Sequence, residues 1–167
     1  MKKSIYIYLV YFSLLFLWSC KNVYYTLSGS TATGNLQILP FSSVVAGGPA
    51  NLAQKFTEDL KTYYIQNSRL RISNDKADYL VEGEIIDYQV APLSPTAQDQ
   101  ASQTRITITV AIRFTDNKDS NNNFEQNFSQ YADFPQSSTL NQVESSKVQE
   151  ILDKLIFDIF QKTVANW

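Results

Sequence analysis

The sequence has 167 residues, a formal net charge of −2, one cysteine and no histidine. This length suits one ordinary domain with a hydrophobic core, and the slight acidity excludes the strongly basic surface of a typical nucleic-acid-binding protein. The lack of histidine removes the commonest general base and metal ligand, and a single cysteine cannot form an intramolecular disulfide.

The N-terminal segment has the features of an export signal. A basic start is followed by an apolar run over 5–18. This run is too short to span a membrane, which needs roughly 20 apolar residues, but it fits the apolar part of a signal peptide. The run ends in Leu-Trp-Ser-Cys, which resembles a bacterial lipobox. We therefore predict a signal peptide over 1–19 and lipidation of Cys20; an uncleaved anchor or an ordinary signal peptide is the alternative.

A lipidated Cys20 would attach the mature chain to a membrane, because two or more acyl chains give stable anchoring. The Ser-, Thr- and Gly-rich stretch 20–34 is predicted to be a lipidated tether, and 35–167 a single domain. Lys21 is not the aspartate that signals inner-membrane retention in some bacteria, and no acidic run follows it. Both features favour the periplasmic face of the outer membrane.

Hydrophobic spacing predicts six elements in the domain. The strand predicted over 35–45 should end, or lie at a sheet edge, at Pro40, which cannot donate a backbone hydrogen bond. The order β-α-β-β-β-α indicates an α+β domain with both helices on one face of a small sheet, which leaves the other face available. The predicted strands are 35–45, 78–90, 104–115 and 124–134, the helices are 51–67 and 141–164, and a mobile loop is predicted over 91–103.

Two capping boxes are predicted from side chains that satisfy free backbone groups at a helix start. The first helix would begin at Asn51 with Gln54 three residues later. The second would use Thr139 with Gln142, or the corresponding pair that begins at Asn141.

Arginines mark one face of the predicted sheet. Arg105 and Arg113 share the polar face of their strand, roughly 26 Å apart at about 3.3 Å per residue. This separation is too large for one small phosphate but suits a large, multiply anionic amphiphile lying along the sheet. Arg69 and Arg71, in a short stretch of extended spacing, would enlarge such a patch. The alternative is that each arginine is an ordinary solvated strand residue.

The acidic residues give little support for catalysis. Glu82 and Glu84 share a strand face and Asp87 points the other way, so the three cannot converge without a bulge. Solvated carboxylates are a better interpretation of this cluster than a cation or glycosidase site. The sequence also has no Gly-rich phosphate loop and no G-x-S-x-G motif. We therefore predict a non-enzymatic protein without a metal or cofactor.

The ordered segments after the lipobox resemble the lipopolysaccharide-assembly lipoprotein family LptE, in the form found in Bacteroidota. No single segment is diagnostic; the resemblance lies in the whole set, which runs from the lipobox to the C-terminus. The segments are VYYTLSG, LQILPF, LAQKFTEDLK, YLVEGEIIDYQVAP, RITITVAIRF, FEQNFSQYADF and IFDIFQKTVANW.

The resemblance implies two helices packed on a four-stranded mixed sheet, and a non-enzymatic role. The implied partners are the outer-membrane β-barrel LptD, whose lumen the protein would plug, and lipopolysaccharide. The implied location is the outer membrane, with a lipid anchor at the periplasmic face. Family contacts with lipopolysaccharide are attributed to basic residues, whereas Arg69, Arg71, Arg105 and Arg113 are chosen here from face geometry. The alternative function is an envelope adaptor, or a glycan- or lipid-binding module, that acts without LptD.

Overall fold

A computed structural model describes residues 32–93 and 102–165. The predicted signal peptide, Cys20 and nearly all of the predicted tether lie outside the described residues, as does 94–101, which makes up most of the predicted loop. Within the described part, no helix is both long enough and apolar enough to cross a membrane.

The described chain contains six strands and two α-helices. A single 3-10 turn, Ser120–Asn122, lies between the last two strands, and a π-helical turn, Gln161–Ala165, continues the last helix. In chain order the other elements are β1 (Thr33–Ile38), β2 (Ser42–Ser43), α1 (Leu52–Asn67), β3 (Arg69–Ile72), β4 (Tyr79–Pro92), β5 (Gln103–Asp116), β6 (Phe124–Pro135) and α2 (Leu140–Phe160).

The α+β class, the two helices and the mixed sheet are confirmed, but the four-stranded sheet is wrong. The strand order is β3-β1-β4-β5-β6, and β2 forms an additional pair with β4. The strand predicted over 35–45 is divided at Pro40, because the backbone N–H of Phe41 leaves the ladder and donates to Thr57 Oγ1 at 3.0 Å. The four residues of β3 are too few to show periodicity, and their place in the sheet depends on pairing with the distant β1.

The sheet combines parallel and antiparallel pairs. β1 lies parallel to β3 on one side and to β4 on the other, whereas β4, β5 and β6 form an antiparallel ribbon. A register shift between Ile85 and Asp87 marks a β-bulge in β4. The bulge explains why this segment does not alternate in sequence, because it puts Tyr88 on the same face as Val81 and Ile85.

The core lies between the two helices and one face of the sheet. Ile106, Ile108, Val110, Ile112 and Phe114 of β5 are all fully buried, as their alternation predicts. Within the described residues, the buried apolar side chains extend from Leu36 to Val164.

One predicted capping box is confirmed and the other is wrong. Thr139 caps α2, and its backbone N–H donates to Gln142 Oε1 at 3.0 Å. Asn51 stands at the N-cap of α1 but makes no side-chain capping bond. Gln54 instead donates to Glu58 Oε1 at 2.9 Å, one helical turn further on.

Candidate functional site: the open face of the sheet

The face of the sheet turned away from α1 and α2, hereafter the open face, is largely polar. Strand alternation puts on it the residues of β5 that lie between the buried ones, together with their cross-strand partners. Its principal side chains are Arg69, Arg71, Asn35, Gln37, Glu82, Glu84, Asp87, Gln89, Arg105, Thr107, Thr109, Ala111, Arg113, Thr115, Glu125, Asn127, Ser129, Tyr131 and Asp133.

The prediction that Asp87 points away from Glu82 and Glu84 is wrong, because the bulge in β4 reverses the alternation. Asp87 pairs with Thr109, an open-face residue, so it lies on the same side as Glu82 and Glu84. No three His, Cys, Asp or Glu side chains come close enough to hold a metal ion within 32–93 and 102–165. The three carboxylates are thus spread along one strand.

Arg105 is held by the two open-face residues nearest to it on β6. Its Nε and Nη2 donate to the two carboxylate oxygens of Asp133 at 2.7 and 2.8 Å. Its guanidinium carbon lies 3.6 Å from the centroid of the Tyr131 ring. The hydrogen bonds from Arg105 lower the pKa of the Asp133 carboxyl from its usual value. The two hydrogen bonds between Arg105 and Asp133 form a bidentate pair, which fixes the orientation of the guanidinium group as well as pairing its charge.

Arg113 lies between two carboxylates. It is 3.3 Å from Glu82 on β4 and 3.2 Å from Glu125 on β6, and its side chain is 58% exposed. Exposed ion pairs of this kind contribute little to stability. The three side chains border a shallow cleft of about 310 Å³ that opens where β1 gives way to β2, near Pro40 and Ser42.

Arg69 and Arg71 differ from the other two arginines. Both are exposed on the edge strand β3, where their Cα partners are Thr33 and Asn35 of β1. Neither is joined to a carboxylate within the described residues. The structure therefore puts all four predicted arginines on one face but does not bring them together, because two whole strands, β1 and β4, separate β3 from β5.

The carboxylate partners of Arg105 and Arg113 were missed in the sequence, although a signal for them was present. The predicted hairpin turns within 116–123, and strands folded about residue 119 of this turn bring 105 opposite 133 and 113 opposite 125. The observed register of β5 and β6 contains both of these pairs. Alternation along a single strand, which placed the arginines on the polar face, does not show these cross-strand pairs.

Comparison with known proteins gives both a family and a fold. The family LptE, lipopolysaccharide-assembly, matches residues 34–163. No curated protein matches the sequence. A minor lipoprotein from Acinetobacter baumannii has a similar structure, with 19% identity, a TM-score of 0.55, and coverage of 79% of this chain and 93% of that one.

Two other solved structures share the fold at still lower identity. A protein from Xanthomonas campestris has 10% identity and a TM-score of 0.57, with 83% of this chain and 87% of that one covered. The rare lipoprotein B from Shewanella oneidensis has 10% identity and a TM-score of 0.50, with 77% and 89% covered. The structural likenesses establish the fold, whereas the family match extends over most of the sequence. The chain belongs to the LptE family of lipopolysaccharide-assembly proteins.

Proposed function

We propose that the mature chain is an outer-membrane lipoprotein, anchored through Cys20, that plugs the lumen of an LptD β-barrel and assists its assembly. In this role it takes part in lipopolysaccharide transport to the cell surface, without catalysis and without a cofactor. The observation that carries the proposal is the polar open face, combined with membership of a lipopolysaccharide-assembly family.

The open face is chemically matched to the inside of a barrel. The interior of a transmembrane β-barrel is polar, so a plug must offer hydrogen-bonding groups rather than an apolar patch. The threonines of β5 and Asn127 and Ser129 of β6 offer such groups. Arg105 and Arg113 have their own carboxylate partners, so covering them would not leave an unpaired charge, which is the costly case.

Purification from detergent-solubilised outer membranes tests this proposal. We expect a large β-barrel protein to co-purify with the wild-type chain. We also expect the mass of the purified lipoprotein to equal that of residues 20–167 plus acyl chains. Changing Thr107 and Thr109 to Arg puts bulk and charge in the middle of the open face, where both side chains are partly exposed, and should abolish recovery of the barrel.

The matched control changes Thr62 and Gln66 to Arg, on the exposed surface of α1. It adds the same charge away from the open face and should retain the barrel. If the wild-type chain carries no barrel, the plug is refuted and the adaptor or binding-module alternative takes its place. An unmodified Cys20 would refute the anchor alone.

Contact with lipopolysaccharide through Arg69, Arg71, Arg105 and Arg113 is part of the same proposal. Arg69 and Arg71 are the immediate candidates, because no carboxylate competes for them among the described residues. Arg105 and Arg113 would have to exchange a carboxylate for a phosphate.

We expect the double substitution Arg69→Gln with Arg71→Gln to weaken lipopolysaccharide binding about 10- to 30-fold, as for two basic residues near an anionic lipid. The control, Lys55→Gln with Lys147→Gln, removes the same charge from residues that are paired with Asp59 and Glu150. Binding should be measured by co-sedimentation with lipopolysaccharide aggregates. Equal weakening by both variants would remove Arg69 and Arg71 from the proposal.

A further inference from the structure

The basic residues of this domain fall into two groups. One group is joined to carboxylates, as in Lys55 with Asp59, Arg105 with Asp133 and Lys147 with Glu150. The other group has no carboxylate partner among the described residues, and its members are Lys61, Arg69, Arg71, Lys76 and Lys162.

The unpaired group is concentrated where the N-terminal segment enters the fold. We call this the tether end of the domain and define it by the start of β1, by β3, by the turn 73–78, by the hairpin turn 117–123 and by the π-helical turn. Both helices end here, since α1 runs into β3 through Ser68 and the Tyr64 hydroxyl contacts Thr163.

Four exposed cations make up the tether-end surface. Arg69 is the Cα partner of Thr33, the first residue of β1, and Arg71 is two residues further along the same edge strand. Lys76 is exposed in the turn between β3 and β4. Lys162 lies at the other side of this end: it belongs to the π-helical turn, and its Nζ is 5.5 Å from the centroid of the Phe124 ring at the start of β6, four strands across the sheet from β3. Lys61, on α1, precedes this surface by two turns of helix.

The carboxylates at the same end are mostly bonded locally. Asp78 accepts the backbone N–H of Asn35 at 2.8 Å and lies 3.3 Å from Lys118 Nζ, and the Asn35 bond is the main cause of its lowered pKa. Asp116 and Asp119 accept hydrogen bonds within their own turn. The carboxylate of Asp75, beside Lys76, has no hydrogen-bond or ion-pair partner among the described residues. With Lys118 counted, this end holds five cations and four carboxylates, so its net charge is slightly positive. None of the four carboxylates is bonded to Arg69, Arg71, Lys76 or Lys162, so these four cations can contact an external anion.

We propose that the tether-end surface, formed by Arg69, Arg71, Lys76 and Lys162, docks on the anionic phospholipid headgroups of the leaflet that holds the acyl anchor. The inference rests on the proposed lipidation of Cys20. The segment between Cys20 and Ala32 can span at most about 43 Å when fully extended, so the end where the chain enters the fold must stay within that distance of the anchored residue.

Charge complementarity selects the occupant. Basic residues near an anionic bilayer surface contribute about fivefold in affinity each, and they act together when they lie within a Debye length of it. In contrast, the opposite end of α1 and α2 has Lys55 and Lys147, both neutralised by carboxylates. The docked domain would therefore have its tether end at the headgroups and the opposite end of α1 and α2 farthest from them.

Vesicle flotation of residues 20–167 carrying Cys20→Ser tests the docking without any acyl chain. We expect binding to vesicles of phosphatidylethanolamine with phosphatidylglycerol, and none to phosphatidylcholine alone or in high salt. The variant Lys76→Gln with Lys162→Gln should bind about 20- to 30-fold more weakly. The control Lys55→Gln with Lys147→Gln should bind as the parent does.

The Lys76 and Lys162 variant also separates a phospholipid surface from lipopolysaccharide, because neither residue is among the proposed lipopolysaccharide contacts. Its lipopolysaccharide binding should be unchanged. The docking surface would be overturned if the Lys76 and Lys162 variant bound vesicles as the parent does. It would also be overturned if the Lys55 and Lys147 control lost as much vesicle binding as that variant. Loss of lipopolysaccharide binding alone would reassign these residues to that ligand. Each result is independent of whether a barrel co-purifies, so the plug and the docking surface can fail separately.

Discussion

Replacing Gly83 by alanine is expected to lower the free energy of unfolding by about 3 kcal/mol, the upper part of the range for overpacked sites. Gly83 lies in the middle of β4, next to the point where β1 gives way to β2. A Cβ at this position would lie 2.1 Å from the carbonyl oxygen of Ala111 and 2.9 Å from a ring carbon of Phe41. The first contact is with the backbone, so the β4–β5 ladder itself would have to shift.

The second contact would displace a side chain of the core. Phe41 is buried and packs edge-on against Phe56 of α1, with ring centroids 4.9 Å apart. An alanine at position 83 would therefore disturb the sheet and its packing on the helix together. Urea denaturation followed by circular dichroism measures the loss.

Gly47→Ala is the matched control for this prediction. The nearest atom to its added Cβ would be a ring carbon of Tyr88 at 3.5 Å, which is an ordinary van der Waals distance. We expect its stability to remain within about 0.5 kcal/mol of the wild type. If Gly83→Ala unfolded at the same urea concentration as Gly47→Ala, the close approach of Phe41 to β4 would be refuted.

Thr163→Val is expected to destabilise the domain by about 2 kcal/mol, the cost of leaving a buried hydroxyl unsatisfied. Thr163 Oγ1 donates to the carbonyl of Ile159 at 2.8 Å, so the Tyr64 hydroxyl is the donor in the bond between the two side chains. Both residues are fully buried, and burial raises the pKa of the Tyr64 hydroxyl far above its usual value. Valine has nearly the shape of threonine but offers no acceptor.

A double-mutant cycle isolates the hydroxyl pair from general packing. Tyr64→Phe removes the donor, and in that background Thr163→Val should cost clearly less than in the wild type. Thr163→Ser retains the acceptor and should lose only the contribution of the methyl group. Thermal unfolding measures the stabilities of the wild type, the two single variants and the double variant of the cycle. If the losses of the two single variants simply added up in the double variant, a bond that joins the ends of α1 and α2 would be contradicted.

The sequence predicted the elements whose pattern is long and local. β5 alternates over its whole length, and the helices show broad apolar stripes, so local spacing was sufficient to place both the core face and the fold class. β2 was predicted as part of the strand 35–45 rather than as a separate strand, and β3 was not counted among the strands, because each is short and is paired through residues far away in the chain. The bulge after Ile85 also depends on pairing with the neighbouring strand. The only sign of it in the sequence is that the apolar residues of β4 do not alternate regularly.

The candidate site was only partly predictable for the same reason. Alternation was sufficient to put Arg105 and Arg113 on the polar side of the sheet. Their carboxylate partners depend on hairpin register, which the hydrophobic pattern and the turn geometry set together, so one strand considered alone does not show them. The difference between these paired arginines and the unpaired Arg69 and Arg71 is a property of neighbouring strands, so it became visible only in three dimensions.

The central position of β1 has a consequence for the order in which the domain can fold. β1 is the first described strand in the chain, and its partners among the described residues are β3 and β4, so both of its edges can be paired only after residues as far as Val81 have been synthesised. The ribbon of β4, β5 and β6 joins neighbours in sequence and has the shorter loops to close. The earliest strand is thus among the last to be completed, and until then an apolar edge remains open to association with other chains.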